Sequence, residues 1–188
     1  AGLCLAFFVS QNIRAQGDSG FVGTDTCATC HKEEFAAWKN SHHDLAMQEA
    51  TAKTVLGDFD DATFAYHGSI TQFSKDTDGF WVTTEGPDGM LKRFPVRYVF
   101  GVYPLQQYLL PLEGGRLQAL TVAWDSRPTE EGGQRWYHLY PDENIKSDDR
   151  LHWTGPYHNW NARCAECHST NVRKNFNALT NTYSTQFN

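Results

Sequence analysis

The pentapeptide Cys-x-x-Cys-His occurs twice, and no other feature restricts the chain so strongly. The first copy covers residues 27–31 (Cys-Ala-Thr-Cys-His) and the second covers residues 164–168 (Cys-Ala-Glu-Cys-His). More than a hundred residues separate the two copies. They contain four of the five cysteines, and the fifth, Cys4, lies in an apolar N-terminal run. The fold must therefore accommodate two separate pairs of thiols, each followed directly by an imidazole.

Several kinds of chemistry use paired cysteines, and spacing distinguishes them. Zinc sites of four cysteines usually place their pairs ~15–20 residues apart. A thioredoxin-like redox pair needs a strand and helix context and no trailing His. A disulfide within each short pair would be strained and would leave the His unexplained. Thiols three residues apart can instead reach both vinyl groups of one porphyrin, and the next residue can ligate its iron. The motifs therefore predict two covalent haem c groups, with thioethers from Cys27, Cys30, Cys164 and Cys167 and proximal iron ligands His31 and His168.

The composition excludes several classes of protein. A hydrophobic fraction of 40% and an aromatic fraction of 14% are globular values. The net charge is -6 and no stretch concentrates Lys and Arg, so a nucleic-acid partner is not expected. The 188 residues suffice for one ordinary domain or two small lobes. We expect the partner to be a redox protein or a quinol-linked electron donor.

The N-terminal stretch has the composition of an export signal. Residues 3–9 are apolar, polar residues follow, and Ala15 is a suitable cleavage point. Because the basic start of such a signal is missing, residues 1–15 are interpreted as a signal-peptide remnant. Cys4 would be removed with this segment, and contact with a membrane is expected only if the segment stays uncleaved. The protein is therefore predicted to be periplasmic or otherwise exported.

The pattern of apolar residues predicts an α+β fold. Three- and four-residue spacing through Phe35, Trp38, His42 and Leu45 predicts a helix over residues 32–55. Asp-Gly and Gly-Gly turns between runs rich in Val, Thr and aromatic residues predict an antiparallel β unit. We expect strands over residues 70–74, 80–84, 91–100, 117–124 and 135–139. The predicted segments are the signal remnant, a first haem-binding segment with its helix at 16–57, a β-rich region at 58–145, and a truncated second haem-binding segment at 146–188.

Several stretches resemble the amino-terminal half of exported multihaem cytochromes c that continue into tetratricopeptide repeats. This family is related to the broad group that contains the ammonia-oxidiser tetrahaem cytochromes and hydroxylamine oxidoreductase. The resemblance implies a multihaem cytochrome c fold, in which helical or loop segments carry haem and flank an antiparallel β insertion. It also implies further haem motifs and helical repeats beyond Asn188. The stretches that carry it are residues 38–48, 104–109, 123–128, 152–157 and 164–171.

Distal iron ligands are expected among the remaining histidines. The family pattern Trp-x-x-Ser-x-His selects His43, whereas the helical stripe selects His42. We prefer His43, because a ligand for a neighbouring haem need not face the core. His152, beside Trp153 and upstream of the second motif, is a third candidate. The isolated residues His67, His138 and His158 are expected to be surface or hydrogen-bonded residues.

Three classes of function agree with these features. Electron transfer by two haems that lie close together is favoured over enzyme activity, because no catalytic constellation is visible and no catalytic residue is assigned. Asp148 and Asp149, for instance, are interpreted as part of a solvated loop. An oxidoreductase acting on a small nitrogen or sulfur species is the alternative, with donors near an open haem position from Arg163, His158 or Tyr157. A haem-stabilised assembly module attached to helical repeats is the third class.

Overall fold

The computed structural model describes residue 20 and residues 22–187. The chain divides into two compact units, Ala1–Ala36 and Ala37–Asn188, which are treated separately below. The predicted signal remnant at residues 1–15, including Cys4, lies outside the described residues. The described residues form antiparallel sheets and short helices. The multihaem fold and the four-segment division remain predictions.

The helix after the first motif is much shorter than the predicted 32–55. Helix α1 covers Thr24–Ala28, and α2 covers Lys32–Trp38 with Glu33 and Glu34 in its first turn. Asn40 has a φ of 62°, and its N–H donates to Oδ2 of Asp44 at 2.8 Å instead of continuing the helical ladder. Turns follow, and residues 47–49 form a strand. The apolar stripe therefore begins in a helix and ends in a turn, and the predicted helical range continues into a strand.

The described residues of the second unit form twelve strands. A four-stranded meander contains β2 (Ala62–Tyr66), β3 (Ser69–Asp76), β4 (Gly79–Glu85) and β5 (Leu91–Pro95). A six-stranded antiparallel sheet contains β1 (Met47–Glu49), β6 (Tyr98–Phe100), β7 (Leu105–Leu112), β8 (Arg116–Ala119), β9 (Val122–Asp125) and β10 (Arg135–His138). Its order is β1-β6-β7-β9-β10, with β8 also paired to β7. A small hairpin contains β11 (Phe176–Asn177) and β12 (Thr182–Tyr183).

The larger sheet buries side chains on both of its faces. Along β7, Tyr108 and Leu110 belong to one apolar cluster and Leu109 belongs to another. Alternation along a strand sends neighbouring side chains to opposite faces, so the two clusters lie on opposite sides of the sheet. The first, which we call the main core, joins the two sheets around Phe59, Phe73, Val82, Phe94, Trp124, Trp136 and Trp153. The second, which we call the outer cluster, contains Phe100, Leu109, Ala119, Trp160 and Ala165.

Short helices follow the sheets and carry the second motif. A 3₁₀ turn at Pro156–His158 leads into α3 (Trp160–Arg163) and α4 (Ala165–His168). Trp160 is fully buried and Ala165 nearly so, and both pack against the outer face of the larger sheet. The fold therefore places the second motif on a sheet face opposite the main core. Within the described part of the chain, no helix combines the length and apolar character needed to cross a membrane.

Candidate haem-attachment sites

The first motif begins in the last two residues of α1, ends at His31 directly before α2, and forms one turn of helix. The carbonyl of Cys27 accepts hydrogen bonds from the N–H groups of Cys30 at 3.2 Å and His31 at 2.9 Å. Both thiols are free, and both cysteines and His31 are exposed. Nδ1 of His31 lies 3.9 Å from Oε2 of Glu34 on the next turn. This turn brings two reduced thiols and one imidazole together on a short segment.

The second motif repeats the same backbone arrangement. The carbonyl of Cys164 accepts hydrogen bonds from the N–H groups of Cys167 and His168, each at 3.1 Å. Both cysteines are again free, with Cys164 half-buried and Cys167 exposed. Burial, with a smaller contribution from nearby Cys167, raises the pKa of the Cys164 thiol. The two copies therefore share their local conformation but differ in burial.

Buried amides fix the helices around the second motif. Oδ1 of Asn159 accepts from the N–H of Ala162 at 3.0 Å and caps α3. Asn161, 1% exposed, accepts from the N–H of Leu117 on β8 at 2.7 Å and donates from Nδ2 to Oγ1 of Thr185 at 2.8 Å. Because both asparagines are buried and each bond is at least partly shielded from water, losing a partner would leave a costly unpaired group. The motif is therefore held to the sheet through specific polar contacts as well as apolar packing.

The loop before α3 is held by a second buried amide. Nε2 of Gln118 donates to the carbonyls of Trp153 at 2.8 Å and Gly155 at 2.9 Å. Gly155 approaches the carbonyl of Arg150 so closely that a Cβ at this position would overlap it. The Gly-Pro pair in the sequence thus reflects close backbone packing. Asn159, Asn161 and Gln118 were not anticipated, because single buried amides leave no periodic signal in a sequence.

His168 has an apolar environment that fits a haem ligand. Its ring lies edge-on to Phe100, with the centroids 5.3 Å apart. Its Nδ1 is buried and finds no hydrogen-bond partner among residues 20 and 22–187. A metal-bound imidazole coordinates through one nitrogen and carries a proton on the other. With Nδ1 turned into the protein, Nε2 is the nitrogen left for iron, so thiols and imidazole together fit a c-type haem.

A recess of about 500 Å³ adjoins the second motif. Oγ of Ser169 donates to Sδ of Met47 at 3.3 Å at one side of this recess. Tyr98 and Phe187 supply aromatic walls, with their rings 5.4 Å apart. The recess therefore offers apolar contact area to a bulky group attached next to His168. Its lining residues are Met47, Gln48, Glu49, Tyr98, Ser169, Thr185, Gln186 and Phe187.

His42 and His43 lie in the turn between α2 and β1. Both are exposed, and the ring of His42 lies 6.0 Å from that of Tyr103. The turn belongs to the same compact unit as the second motif and leads into β1, where Met47 pairs with Phe100. Residues directly opposite in an antiparallel pair share a face. The turn that carries the two histidines therefore leads into the edge strand β1, which pairs with β6, and Phe100 on β6 contacts His168.

His152 lies on the other side of the larger sheet. It is 8% exposed, and its Nδ1 is 2.8 Å from Oγ1 of Thr154. With His138 it lines a cavity of about 40 Å³ beside main-core residues. The outer cluster, against which Cys164 packs, lies on the opposite face. The role of His152 as a distal ligand therefore stays a prediction, and none of these contacts supports it.

Three histidines, His138, His152 and His158, are buried in the second unit. His138 and His158 are each 7% exposed, whereas His67 is exposed. The ring of His138 stacks on Tyr66 at 3.7 Å, and its Nδ1 accepts from the N–H of Tyr140 at 3.1 Å. Burial lowers the pKa of His138 to about 4 and also lowers the pKa of His152 and His158. No group of His, Cys, Asp or Glu within the described residues is arranged to hold a metal ion by itself.

The donors considered for enzyme chemistry have different positions. Arg163, which precedes Cys164, lies over the ring of Tyr157 at 5.4 Å, and Arg150 lies over it at 4.9 Å. Tyr157 is exposed, whereas His158 is buried with Nε2 unpaired by any described residue. Only Arg163 and Tyr157 are therefore at the surface beside the second motif.

Comparison with known proteins bears on the first motif. Residues 26–69 match the family model described as cytochrome c554 and c-prime. The match supports a c-type cytochrome. It covers the first motif, α2, the turn with His42 and His43, and the strands β1 and β2, and such a family carries covalently bound haem c and transfers electrons. The second motif lies outside the matched segment. Neither the curated proteins nor the solved structures gave a match.

Proposed function

We propose that this chain is part of an exported multihaem cytochrome that binds two haem c groups and transfers electrons. The observation that carries the proposal is the backbone turn shared by both motifs. In each copy the first cysteine accepts from the N–H groups of the second cysteine and of the histidine. The second motif thus has the conformation of the first, which lies in the segment matched by the cytochrome family. The family resemblance to tetratricopeptide-repeat cytochromes and to the hydroxylamine oxidoreductase group is part of this proposal.

The residues around the second motif suit a redox centre. When bound, haem supplies an iron that changes oxidation state by one electron. Trp160, Phe100 and Leu109 would exclude water from its attachment side, since all three are buried against the sheet. His168 would hold the iron through Nε2. We further propose His43, with His42 as the alternative, as a distal ligand for this centre, because the turn that carries both belongs to the same unit.

The mass of matured protein tests the number of haems. Expression in a host competent for haem attachment should add the mass of two haems to the bare polypeptide. The double variant Cys164→Ala, Cys167→Ala should lose one haem, and Cys27→Ala, Cys30→Ala should lose the other. Glu166→Ala, inside the second motif but not at a ligand position, should keep both. A wild-type mass with one haem or none would contradict the proposal.

An oxidoreductase acting on a small nitrogen or sulfur species is the second candidate. It is favoured by Arg163 and Tyr157, a cation and a phenol held together beside Cys164. Optical spectra separate the two functions. Wholly low-spin haems that do not bind nitrite or carbon monoxide indicate electron transfer alone. A high-spin fraction that binds them indicates an open iron position. A haem-stabilised assembly module, the third candidate, would retain its haems but show no electron exchange with redox proteins.

A further inference from the structure

The two proximal histidines differ in what faces their second nitrogen. Nδ1 of His31 lies 3.9 Å from a carboxylate oxygen of Glu34, three residues along α2. Nδ1 of His168 is buried, and no described residue accepts a hydrogen bond from it. Its nearest ring neighbour is Phe100, which offers no acceptor. The same motif therefore presents its imidazole to a negative charge in one copy and to hydrocarbon in the other.

The group that faces the second nitrogen of a metal-bound imidazole influences the reduction potential of the metal. A carboxylate near the second N–H increases the basicity of the ligand, and its negative charge stabilises the more positive oxidised metal. An apolar surrounding without an acceptor has the opposite effect, because it disfavours the additional charge of the oxidised state. Hydrogen bonding, burial and nearby charge are the means by which proteins set haem potentials.

We infer that Glu34 lowers the reduction potential of the haem at residues 27–31, so that this haem has a lower potential than the one at residues 164–168. The inference rests on the proposed attachment of two haems. Glu34 acts through His31 and is a positioning residue for the imidazole and its charge. Electrons shared between the two centres would then reside mainly on the haem of the second motif.

The size of the effect is limited by solvent. The side chains of His31 and Glu34 are 69% and 75% exposed, and 3.9 Å is the distance of an ion pair, not of a hydrogen bond. Exposed pairs are weak and are screened by salt. We therefore expect removal of the charge to change the one-electron equilibrium constant threefold to tenfold, roughly 30–60 mV. The change should shrink as ionic strength rises.

Redox titration of the matured protein tests this inference. Glu34→Gln should move the lower of the two potentials upward by the stated amount and leave the higher one in place. Glu33→Gln is the matched control, because Glu33 is a neighbouring exposed carboxylate on α2 without an ion pair to a described residue. It should move either potential by much less. Because Glu34 is exposed, the variant is expected to fold.

Other results would overturn the inference. Equal shifts in the two variants would show that any nearby charge has the same influence as Glu34. A shift of the higher potential would show that Glu34 acts on the haem of higher potential, contrary to the inference. No shift of either potential would show that Glu34 has no influence on the haems. The mass of each variant, measured first, should show two haems, so a failure of haem attachment is distinguishable from a failure of potential tuning.

Discussion

The phenyl ring of Phe100 lies edge-on to the imidazole of His168, with 84° between the ring planes. Phe100 is 6% exposed and belongs to the outer cluster. Phe100→Leu should lose this ring contact and leave a small cavity, at a cost of about 1–3 kcal/mol in the free energy of unfolding. Denaturant titration measures the cost. Absorption and electron paramagnetic resonance spectra should also change for one haem, because its proximal ring loses its support.

Phe94→Leu is the control for that change. Phe94 is also buried, but it contacts Trp153 in the main core, on the other face of the larger sheet. A similar loss of stability with unaltered haem spectra is expected. If both variants alter the spectra equally, the effect reflects general loosening and not the ring contact.

Asn161 should contribute stability out of proportion to its size. Asn161→Ala leaves the N–H of half-buried Leu117 without its side-chain acceptor, which costs about 1–3 kcal/mol. The midpoint of denaturant unfolding should fall, and attachment of the second haem during maturation should become less complete. Asn144→Ala, at an exposed position, serves as the comparison and should change neither. Unchanged stability in Asn161→Ala would show that the amide is dispensable.

The adjacent pair His42 and His43 permits a direct test of the distal ligand. His43→Ala should convert one of the two haems to a high-spin form that binds carbon monoxide when reduced, because iron would lose its sixth ligand. His42→Ala should leave both haems low-spin. Optical spectra with and without carbon monoxide provide the measurement. The reverse pattern would assign the ligand to His42. If neither variant changes the spectra, both histidines of this turn are excluded as distal ligands.

The buried ring of His138 predicts a loss of stability in acid. Its pKa is lowered from the usual 6.5 to about 4, because burial penalises the charged form and His158, His67 and His152 are nearby. The folded state therefore holds fewer protons than the unfolded state. Stability should be complete above about pH 6.5 and should fall as pH drops towards 4; His138 contributes at most about 1.4 kcal/mol per pH unit, and the lowered pKa values of His152 and His158 add to the loss.

Two substitutions assign that slope. His138→Gln keeps an acceptor for the N–H of Tyr140 but cannot titrate, so the dependence between pH 6.5 and 4 should flatten. His67→Gln, at an exposed ring, should retain the wild-type slope. Unfolding free energies at several pH values provide the measurement. An equally steep slope in both variants would place the titrating group elsewhere.

Local signals predicted the β structure well where turns are explicit. The Asp78-Gly79 pair lies between β3 and β4, and both strands were expected within a few residues of their bounds. The segment 91–100 was expected as one strand, but it is two, because the chain leaves the meander after Pro95 and enters the larger sheet at Tyr98. Such a transfer depends on tertiary packing, which local patterns do not carry. Strand β7 was missed, since Pro104 precedes it and Pro111 lies within it.

The candidate sites were predictable only in part for a similar reason. The cysteines and proximal histidines form a contiguous motif, so they can be read from the sequence. The ring beside His168 belongs to Phe100, which is far away along the chain, and the hydrogen bond from Leu117 to Asn161 ties the preceding helix to the sheet. The helix error has a local cause: the left-handed backbone of Asn40 redirects an apolar stripe that would otherwise predict continued helix.

Because the larger sheet buries side chains on both of its faces, the register of its strands is critical. Leu109 and Leu110 are adjacent in sequence but support different clusters, as do Ala119 and Leu120. Inserting or deleting one residue within β7 would exchange the sides on which these side chains lie. The side chain of Leu109, which packs on the face beneath α3 and α4, would then point between the two sheets. The hydroxyl of Tyr108, now buried in the main core, would point towards the second motif. Length changes in this strand should therefore be far less tolerable than single substitutions.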